Sequence, residues 1–251
     1  MMERVIFKNS RNQSLVGHLY TSASKSIIII SHAMANDKSE RGKLDRVAKE
    51  LNQSEYNVLV FDFSGCGESD DDTLTVEKEV DDLKSAIHFS KSRGYTKIGL
   101  FGHSLGCLVS LKCYTPDIHT MVLWSPITDK VKYTWDERLS KEQLHELEHK
   151  GYFTRTRKNA IRTTYQVDKQ MLIDREIVDQ KDLLKNVTCP ILLIHGTKDT
   201  TVPITDSEEA ITLLSQDSKL ELVDGADHDF NEHVDSIVRL STDWFLSHLE
   251  R

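Results

Sequence analysis

The segment LFGHSLGCLVS occupies residues 100–110 and joins strand-forming residues to helix-forming residues through Gly102-His103-Ser104-Leu105-Gly106. A serine hydroxyl becomes a useful nucleophile only when a base removes its proton and the oxyanion on the attacked carbonyl is stabilised. A sharp strand-to-helix turn exposes such a serine and directs the helix N-terminal amides at the developing charge. Glycines at both flanks avoid side-chain clashes in that turn. The segment therefore predicts Ser104 as an exposed nucleophile, and a glycine turn without catalytic function is the alternative.

Outside this segment, short apolar stretches alternate with longer amphipathic ones. The four consecutive isoleucines at 27–30 are typical of a strand that is buried on both faces. The alternation predicts βαβ crossovers, and therefore an α/β protein with a mostly parallel central sheet and helices on both faces. The predicted strands are residues 4–7, 18–20, 26–32, 56–61, 97–101, 120–124, 190–195 and 219–223, and the predicted helices are residues 41–51, 76–88, 105–114, 206–214 and 237–249.

One long polar segment interrupts the alternation. We interpret residues 128–181 as a small cap that is inserted into a single domain of residues 1–251. The elements that the pattern predicts within the cap are a helix at 140–150, a hairpin within 152–167 and a helix at 168–178.

An acid and a base should follow the serine in the chain order Ser, Asp, His. ILLIHGTKDTTVP (191–203) places Asp199 just beyond the end of a strand, and LELVDGADHDF (220–230) places His228 in the loop before the last helix. Sites in open parallel sheets form at those strand ends. We therefore predict a catalytic triad of Ser104, Asp199 and His228. The alternatives are a turn or cap role for the aspartate and a surface position for the histidine.

The oxyanion requires two backbone N–H donors. One is expected from Leu105, the residue after the nucleophile. The other is expected from SHAMAND (31–37), where Met34 is our first choice and Ala33 the second. His32, in the same loop, is interpreted as a brace through its hydrogen bonds.

Two further histidines, His103 and His195, are interpreted as structural. A glycine-rich turn, FDFSGCGESDD (61–71), could in principle cradle a phosphate. It contains neither G-x-x-x-x-G-K-[ST] nor a third glycine at the spacing of a dinucleotide site, so we interpret it as a structural turn below the active site.

The overall composition limits the kinds of function that the protein can have. The net charge is −8 and no basic stripe is present, so a nucleic-acid partner is not expected. No uninterrupted apolar run is longer than that of residues 27–30, which is far shorter than the roughly 20 residues of a membrane helix. The N-terminal stretch MMERVIFKNS resembles no secretory signal, and the expected location is the cytoplasm, without a membrane partner.

The 4 cysteines show no C-x-x-C spacing, which favours free thiols and argues against a metal site. Cys107 follows the elbow within the predicted helix. We interpret it as a packing residue, and a redox function is the alternative.

These motifs together resemble the α/β-hydrolase superfamily. The likeness covers almost the whole chain and rests on the elbow at 102–106, the D-x-x-G-x-G-x-S turn at 62–69 and the acid and histidine loops. More narrowly, the sequence is similar to bacterial cinnamoyl/feruloyl esterase-like and serine-aminopeptidase-like hydrolases, whose short cap resembles residues 151–179. In that group the oxyanion loop usually reads H-G-aromatic, so Ala33 and Met34 imply a slightly remodelled loop.

The resemblance implies a serine hydrolase that cleaves a small-molecule carboxylic ester through an acyl-enzyme, with no cofactor and no metal. Aromatic residues of the cap would shape the substrate pocket. One alternative is an amidase or peptidase with the same triad, and another is a non-catalytic protein that only binds a ligand. The pocket candidates are Trp135, Tyr152 and Tyr165, and the candidates for binding an α-amine are Glu142, Glu146 and Glu148, which a solvated helix face also explains.

Overall fold

The computed structural model describes residues 1–158 and 160–250; Asn159, within the predicted cap, and Arg251 lie outside them. The strands are β1 (Met2–Lys8), β2 (Ser14–Tyr20), β3 (Ser26–Ser31), β4 (Asn57–Phe61), β5 (Thr73–Leu74), β6 (Lys97–His103), β7 (Ile118–Trp124), β8 (Tyr152–Thr156), β9 (Thr164–Asp168), β10 (Ile191–Gly196) and β11 (Lys219–Val223). The helices are α1 (Lys43–Gln53), α2 (Val76–Ser92), α3 (Leu105–Lys112), α4 (Lys141–Lys150), α5 (Lys169–Glu176), α6 (Gln180–Leu184), α7 (Ile204–Ile211) and α8 (Val234–His248), with a 3₁₀ turn at Trp135–Glu137.

Eight strands form the central sheet in the order β1-β2-β4-β3-β6-β7-β10-β11. At one edge of the sheet, β2 runs antiparallel to both of its neighbours, β1 and β4. All remaining neighbours in this sheet are parallel. The mostly parallel sheet that the strand-helix alternation predicted is therefore confirmed.

The isoleucines of β3 show how the two faces of the sheet are filled. Ile27 and Ile29 belong to one apolar core, together with residues of α2 and α3. Ile28 and Ile30 belong to a second core, together with residues of α1 and α8. Successive strand residues point to opposite faces, so a strand covered by helices on both sides needs apolar residues at every position.

Between β7 and β10 the chain builds a separate group of elements. The helix α4 begins with a capping box of Ser140 and Gln143 and ends at Gly151, whose φ is 77°. The predicted hairpin is confirmed as the antiparallel pair β8 and β9. The pattern missed β5, a two-residue strand that pairs with β9 and completes a three-stranded sheet. So short a strand carries no periodicity, and its position is set by its partner.

The site is positioned by the carboxyl ends of four strands in the parallel part of the sheet. The loops after β3, β6, β10 and β11 all leave the sheet at the same edge, because these strands are parallel. Across the described part of the chain, no helix is both long and apolar enough to cross a membrane.

Candidate active site

Ser104 lies at the junction of β6 and α3 in a strained backbone conformation. Its φ is 54° and its ψ is −113°, a region that non-glycine residues rarely occupy. A Cβ at Gly102 would lie 2.7 Å from the carbonyl oxygen of Gly106, and a Cβ at Gly106 would overlap the carbonyl oxygen of Ser31. Gly102 is therefore required for the start of α3 to approach the end of β6, and Gly106 for the turn to pack against β3.

Two hydrogen bonds link the three predicted triad residues. Nε2 of His228 lies 3.0 Å from Oγ of Ser104, and Nδ1 of His228 lies 2.7 Å from Oδ2 of Asp199. A carboxylate only accepts hydrogen bonds, so the Nδ1 of the imidazole carries the proton and Nε2 is free to accept the serine proton. The geometry is that of a nucleophile beside an oriented base.

The carboxylate of Asp199 is held by more partners than the sequence indicated. Its Oδ1 accepts the amides of Thr201 (2.7 Å) and Val202 (2.9 Å). Nε2 of His195 lies 3.3 Å from its Oδ2, beside the contact with His228. Burial opposes the charge, but hydrogen bonds from the two histidines and the Val202 amide outweigh it and hold the pKa of Asp199 well below its ordinary value.

His195 was interpreted as structural from the sequence, and its ring indeed bridges several groups. Nδ1 contacts Oγ of Ser207 at 2.7 Å, and Nε2 lies 3.2 Å from the carbonyl oxygen of Val202. Its place beside Asp199 was not foreseen. Position 195 falls inside an apolar strand pattern, which does not show which loop its ring would meet.

A second buried acid-histidine pair lies behind the nucleophile. Oε2 of Glu40 lies 2.6 Å from Nδ1 of His103, and both side chains are about 1% exposed. Nε2 of His103 lies 3.3 Å from the carbonyl oxygen of His228. Sequence reasoning missed Glu40, because the polar stretch around it is indistinguishable from a solvated loop.

The backbone amides near Ser104 differ in whether they already donate a hydrogen bond within the protein. The amide of Ala33 donates to Oε1 of Glu40 at 2.6 Å and is therefore occupied. Within residues 1–158 and 160–250, the amides of Met34 and Leu105 have no protein acceptor. Both residues line the same cavity as Ser104, which leaves these two amides available to an oxyanion.

His32 fixes the backbone of this loop, as the sequence suggested. Its Nδ1 donates to the carbonyl oxygen of Ala33 at 2.8 Å, and its Nε2 accepts the amide of Phe63 at 3.2 Å. The glycine-rich turn also has a structural basis. Oδ1 and Oδ2 of Asp62 accept the amides of Lys38 (2.7 Å) and Glu68 (2.9 Å).

One cavity has the nucleophile in its wall, and a second cavity shares part of that wall. The smaller, about 100 Å³, contains Ser104 in its wall, and the larger, about 430 Å³, lies next to it. The side chains common to both walls are Met34, Tyr133, Trp135 and Thr201. The smaller cavity is further lined by Leu105, Ile127, Lys130, Val131, Lys132, Met171, Arg175, Val202, Pro203 and Asp206, and the larger by Arg138, Leu139, Gln143, Phe153, Arg155 and Leu172.

The three aromatic residues expected in the pocket are distributed differently. Trp135 lines both cavities. Tyr165 lies instead in the main apolar core and is 1% exposed. Tyr152 lines neither of the two cavities, and the ammonium of Lys150 lies 5.9 Å from its ring centroid. The register of a hairpin that is placed only by packing could not be read from its sequence.

The cysteines and possible metal ligands lie apart from this chemistry. All four cysteines have free, buried thiols. Sγ of Cys107 donates to the carbonyl oxygen of Trp124 at 3.2 Å, which supports the packing interpretation. In the part of the chain that the structure describes, no group of three or more His, Cys, Asp or Glu side chains could hold a metal ion.

Comparisons with known proteins agree with this architecture. The family model described as "Serine aminopeptidase, S33" matches residues 22–233. The human Serine hydrolase BPHL is 30% identical over 172 residues, which are 62% of this chain and 57% of that protein. The chain spans about half the length of such curated relatives.

Solved structures show the same fold at low sequence identity. The alpha/beta hydrolase GrgF from Penicillium sp. sh18 has a TM-score of 0.81 and 16% identity, with 99% of each chain covered. Est1E from Butyrivibrio proteoclasticus, with ferulic acid bound, has a TM-score of 0.78 and 18% identity, with 97% of this chain and 98% of that chain covered. The predicted α/β-hydrolase fold is confirmed.

Proposed function

This chain belongs to the serine aminopeptidase S33 family of α/β hydrolases, and we propose that it cleaves carboxylic esters through an acyl-enzyme intermediate formed on Ser104. The observation that carries the proposal is the continuous path from Oγ of Ser104 through His228 to Asp199, with distances of 3.0 Å and 2.7 Å. This path opens on a cavity whose wall also contains Met34 and Leu105, with their two free amides.

The reaction follows from these positions. Oγ of Ser104 attacks the ester carbonyl carbon while Nε2 of His228 accepts the hydroxyl proton. Negative charge develops on the carbonyl oxygen, where the amides of Leu105 and Met34 bind it. Asp199 keeps the imidazole in the required tautomer and stabilises the imidazolium.

The two products are then released one after the other. The bond to the alcohol oxygen breaks, and the departing alcohol takes the proton from His228, which leaves the acyl group on Ser104. Water attacks this second ester while His228 accepts one of its protons. The serine oxygen leaves with that proton, and the carboxylic acid is released.

An amidase or peptidase that recognises an α-amine would need a free carboxylate in the pocket. Of the three glutamates of α4 that were candidates, Glu146 accepts the amide of Thr154 and the ammonium of Lys150, and none of the three lines either cavity. Among the described residues that line the cavities, Asp206 is the one carboxylate, and Lys132 lies 2.7 Å from it. This arrangement favours esters without an ammonium group. Side-by-side rates on amino-acid p-nitroanilides and simple p-nitrophenyl esters test the preference.

The decisive experiment is pre-steady-state hydrolysis of p-nitrophenyl acetate. We expect a burst of p-nitrophenol of about one equivalent per active site, since acyl-enzyme accumulation is the signature of this mechanism. The burst should vanish in Ser104→Ala and persist in Ser92→Ala, which changes an exposed serine at the end of α2. Neither a burst nor labelling by a fluorophosphonate probe in the wild type would contradict the proposal and favour a protein that only binds a ligand.

A further inference from the structure

Positive side chains dominate the two cavities beside Ser104. The smaller cavity is lined by Lys130, Lys132, Arg175 and one carboxylate, Asp206. The larger is lined by Arg138 and Arg155. The chain as a whole has a net charge of −8, so this concentration of positive charge runs against the general composition. A cleft lined by one sign of charge attracts ligands of the opposite sign.

Arg175, on α5, is the most deeply buried of these cations and is only 9% exposed. Its Nη1 donates to the carbonyl oxygen of Asp129 at 3.2 Å. No carboxylate in the described parts of the chain lies within 4.0 Å of its guanidinium. Burial lowers the pKa of Arg175 to about 10, and the charges of Asp206 and Asp129 offset this only in part.

The carboxylate in the wall of the smaller cavity, Asp206, is already paired with another cation. Asp206 is 3% exposed, and Nζ of Lys132 lies 2.7 Å from its Oδ1. Elsewhere in this protein a buried cation is fully compensated: Nζ of Lys38, which is 2% exposed, lies 2.7 Å from both Asp62 and Glu68. Arg175 lacks such partners, and a guanidinium has five N–H donors in a planar fork that suits a carboxylate.

We propose that Arg175 binds a carboxylate carried by the ester substrate, so that the substrates are anionic esters. This inference rests on the proposed ester hydrolysis and specifies its substrate class. The cavity that has both Ser104 and Arg175 in its wall is also lined by Leu105, Ile127 and Met171, which suits a short alkyl chain between the ester and the carboxylate. The anion can belong to the acyl part, in a hemiester of a dicarboxylic acid, or to the alcohol part, in an acyl ester of a hydroxy acid.

Two matched substrate pairs test the proposal. Monomethyl glutarate is compared with methyl 4-carbamoylbutanoate, and 4-acetoxybutanoate with 4-acetoxybutanamide, because the amide has the size of the acid without its charge. We expect kcat/KM to favour the anion at least about tenfold in one pair, the worth of a charge-assisted hydrogen bond to a buried guanidinium. The pair that shows the preference identifies which part of the ester carries the anion, and shorter and longer acids from succinate to adipate locate the best chain length.

Variants connect the preference to Arg175. In Arg175→Met the preference should disappear, and in Arg175→Lys, which keeps the charge but loses the fork, it should be reduced. Arg239→Met removes the same charge from an exposed position on α8 that lines neither cavity, and it should preserve the preference. Equal rates on acid and amide in both pairs, or an undiminished preference in Arg175→Met with a native melting curve, would overturn the proposal.

A binding measurement separates this inference from the proposed function. Calorimetry on Ser104→Ala needs no turnover and compares the same acid and amide pairs. We expect tighter binding of the anion by about tenfold or more, and its loss in Ser104→Ala/Arg175→Met. If no ester is turned over, the proposed function fails while this measurement still decides whether the site prefers anions. Equal affinity for acid and amide would refute the anion site alone.

Discussion

The carboxylate of Glu40 lies 2.6 Å from Nδ1 of His103, the residue that precedes the nucleophile. The other ring nitrogen of His103 lies 3.3 Å from the carbonyl oxygen of His228. Both of these partners are acceptors, so the ring must carry two protons and the pair is an ion pair. Oε1 of Glu40 also accepts the amide of Ala33. The pair thus connects the nucleophile elbow, the histidine loop and the oxyanion loop.

Removing one partner of the Glu40–His103 ion pair should destabilise the folded protein. Glu40→Gln leaves a buried imidazolium without its counter-ion, and we expect a loss of about 3–5 kcal/mol in the free energy of unfolding. Glu40→Gln/His103→Asn removes both charges and should be less destabilised than the two single variants summed. Because neither side chain lines the two cavities near Ser104, kcat should fall more than KM changes. Urea unfolding and steady-state kinetics measure both effects.

The control is an exposed pair. Nζ of Lys91 lies 2.6 Å from Asp117, and both side chains are more than a third exposed. Asp117→Asn should leave the free energy of unfolding close to that of the wild type, because solvent screens an exposed pair. Additive effects in the Glu40 and His103 cycle, or a KM change as large as the kcat change, would show that the two residues do not act as one positioning unit.

The same pair predicts a pH dependence of stability. Burial raises the pKa of Glu40, but His103, Lys43 and the Ala33 amide outweigh it and lower the pKa from 4.5 to about 2. As the pH falls through this interval, the unfolded chain binds a proton that the folded chain does not, so stability is lost. The pKa of His103 is raised from 6.5, because Glu40 outweighs the effect of burial. The contribution of His103 to stability is therefore fully present below about pH 6.5. It is lost as the pH rises through the raised pKa of the folded protein.

Urea unfolding across the pH range measures this dependence. The difference in unfolding free energy between the wild type and Glu40→Gln/His103→Asn isolates the pair, since Asp199 and other groups titrate in both proteins. We expect the difference to be largest between pH 4.5 and 6.5 and to shrink on either side. A difference that is constant with pH would contradict an ion pair.

The elbow and the triad could be predicted from the sequence because each of them follows a recognisable strand. Parallel strands bring their carboxyl ends to one edge, so chain order alone placed Ser104, Asp199 and His228 together. The loops that carry the free amides of Met34 and Leu105 followed from the same strands. Such inference needs only strand positions and a topology.

The residues that contact the triad and those that line the cavities could not be predicted in this way. Glu40 lies in a polar loop whose path is set by its own buried hydrogen bonds. Arg175 lies on α5, whose buried face is decided by packing. Tyr165 was assigned to the pocket because it is aromatic, but the hairpin directs it into the core. Residues that are placed by tertiary contacts leave no periodic signal in the chain.

Asp199→Asn tests the orientation of the base. An amide can donate to Nδ1 and so favours the tautomer whose Nε2 is protonated, which cannot accept the serine proton. We expect kcat to fall on the order of 10⁴-fold, as in other Ser-His-Asp sites, with KM little changed. Asp224→Asn, in the loop that carries His228, is the matched control, since this exposed carboxylate contacts Thr197 and not the imidazole. Equal losses in the two variants would mean that loop structure, and not tautomer control, explains the effect.

The remaining prediction concerns Cys107, three residues after the nucleophile. Burial raises the pKa of this thiol well above its ordinary value, and Sγ donates to the carbonyl oxygen of Trp124. A buried, protonated thiol is a poor nucleophile and is not accessible to oxidants. The native protein should therefore react with none of its thiols when treated with Ellman's reagent, and with all 4 after unfolding in guanidinium.

Rapid modification of Cys107 in the folded protein, located by peptide mass spectrometry, would restore the redox alternative. Cys107→Ser should keep the hydrogen bond to Trp124 and any wild-type rate on p-nitrophenyl acetate, because the side chain packs behind the elbow and lines neither cavity.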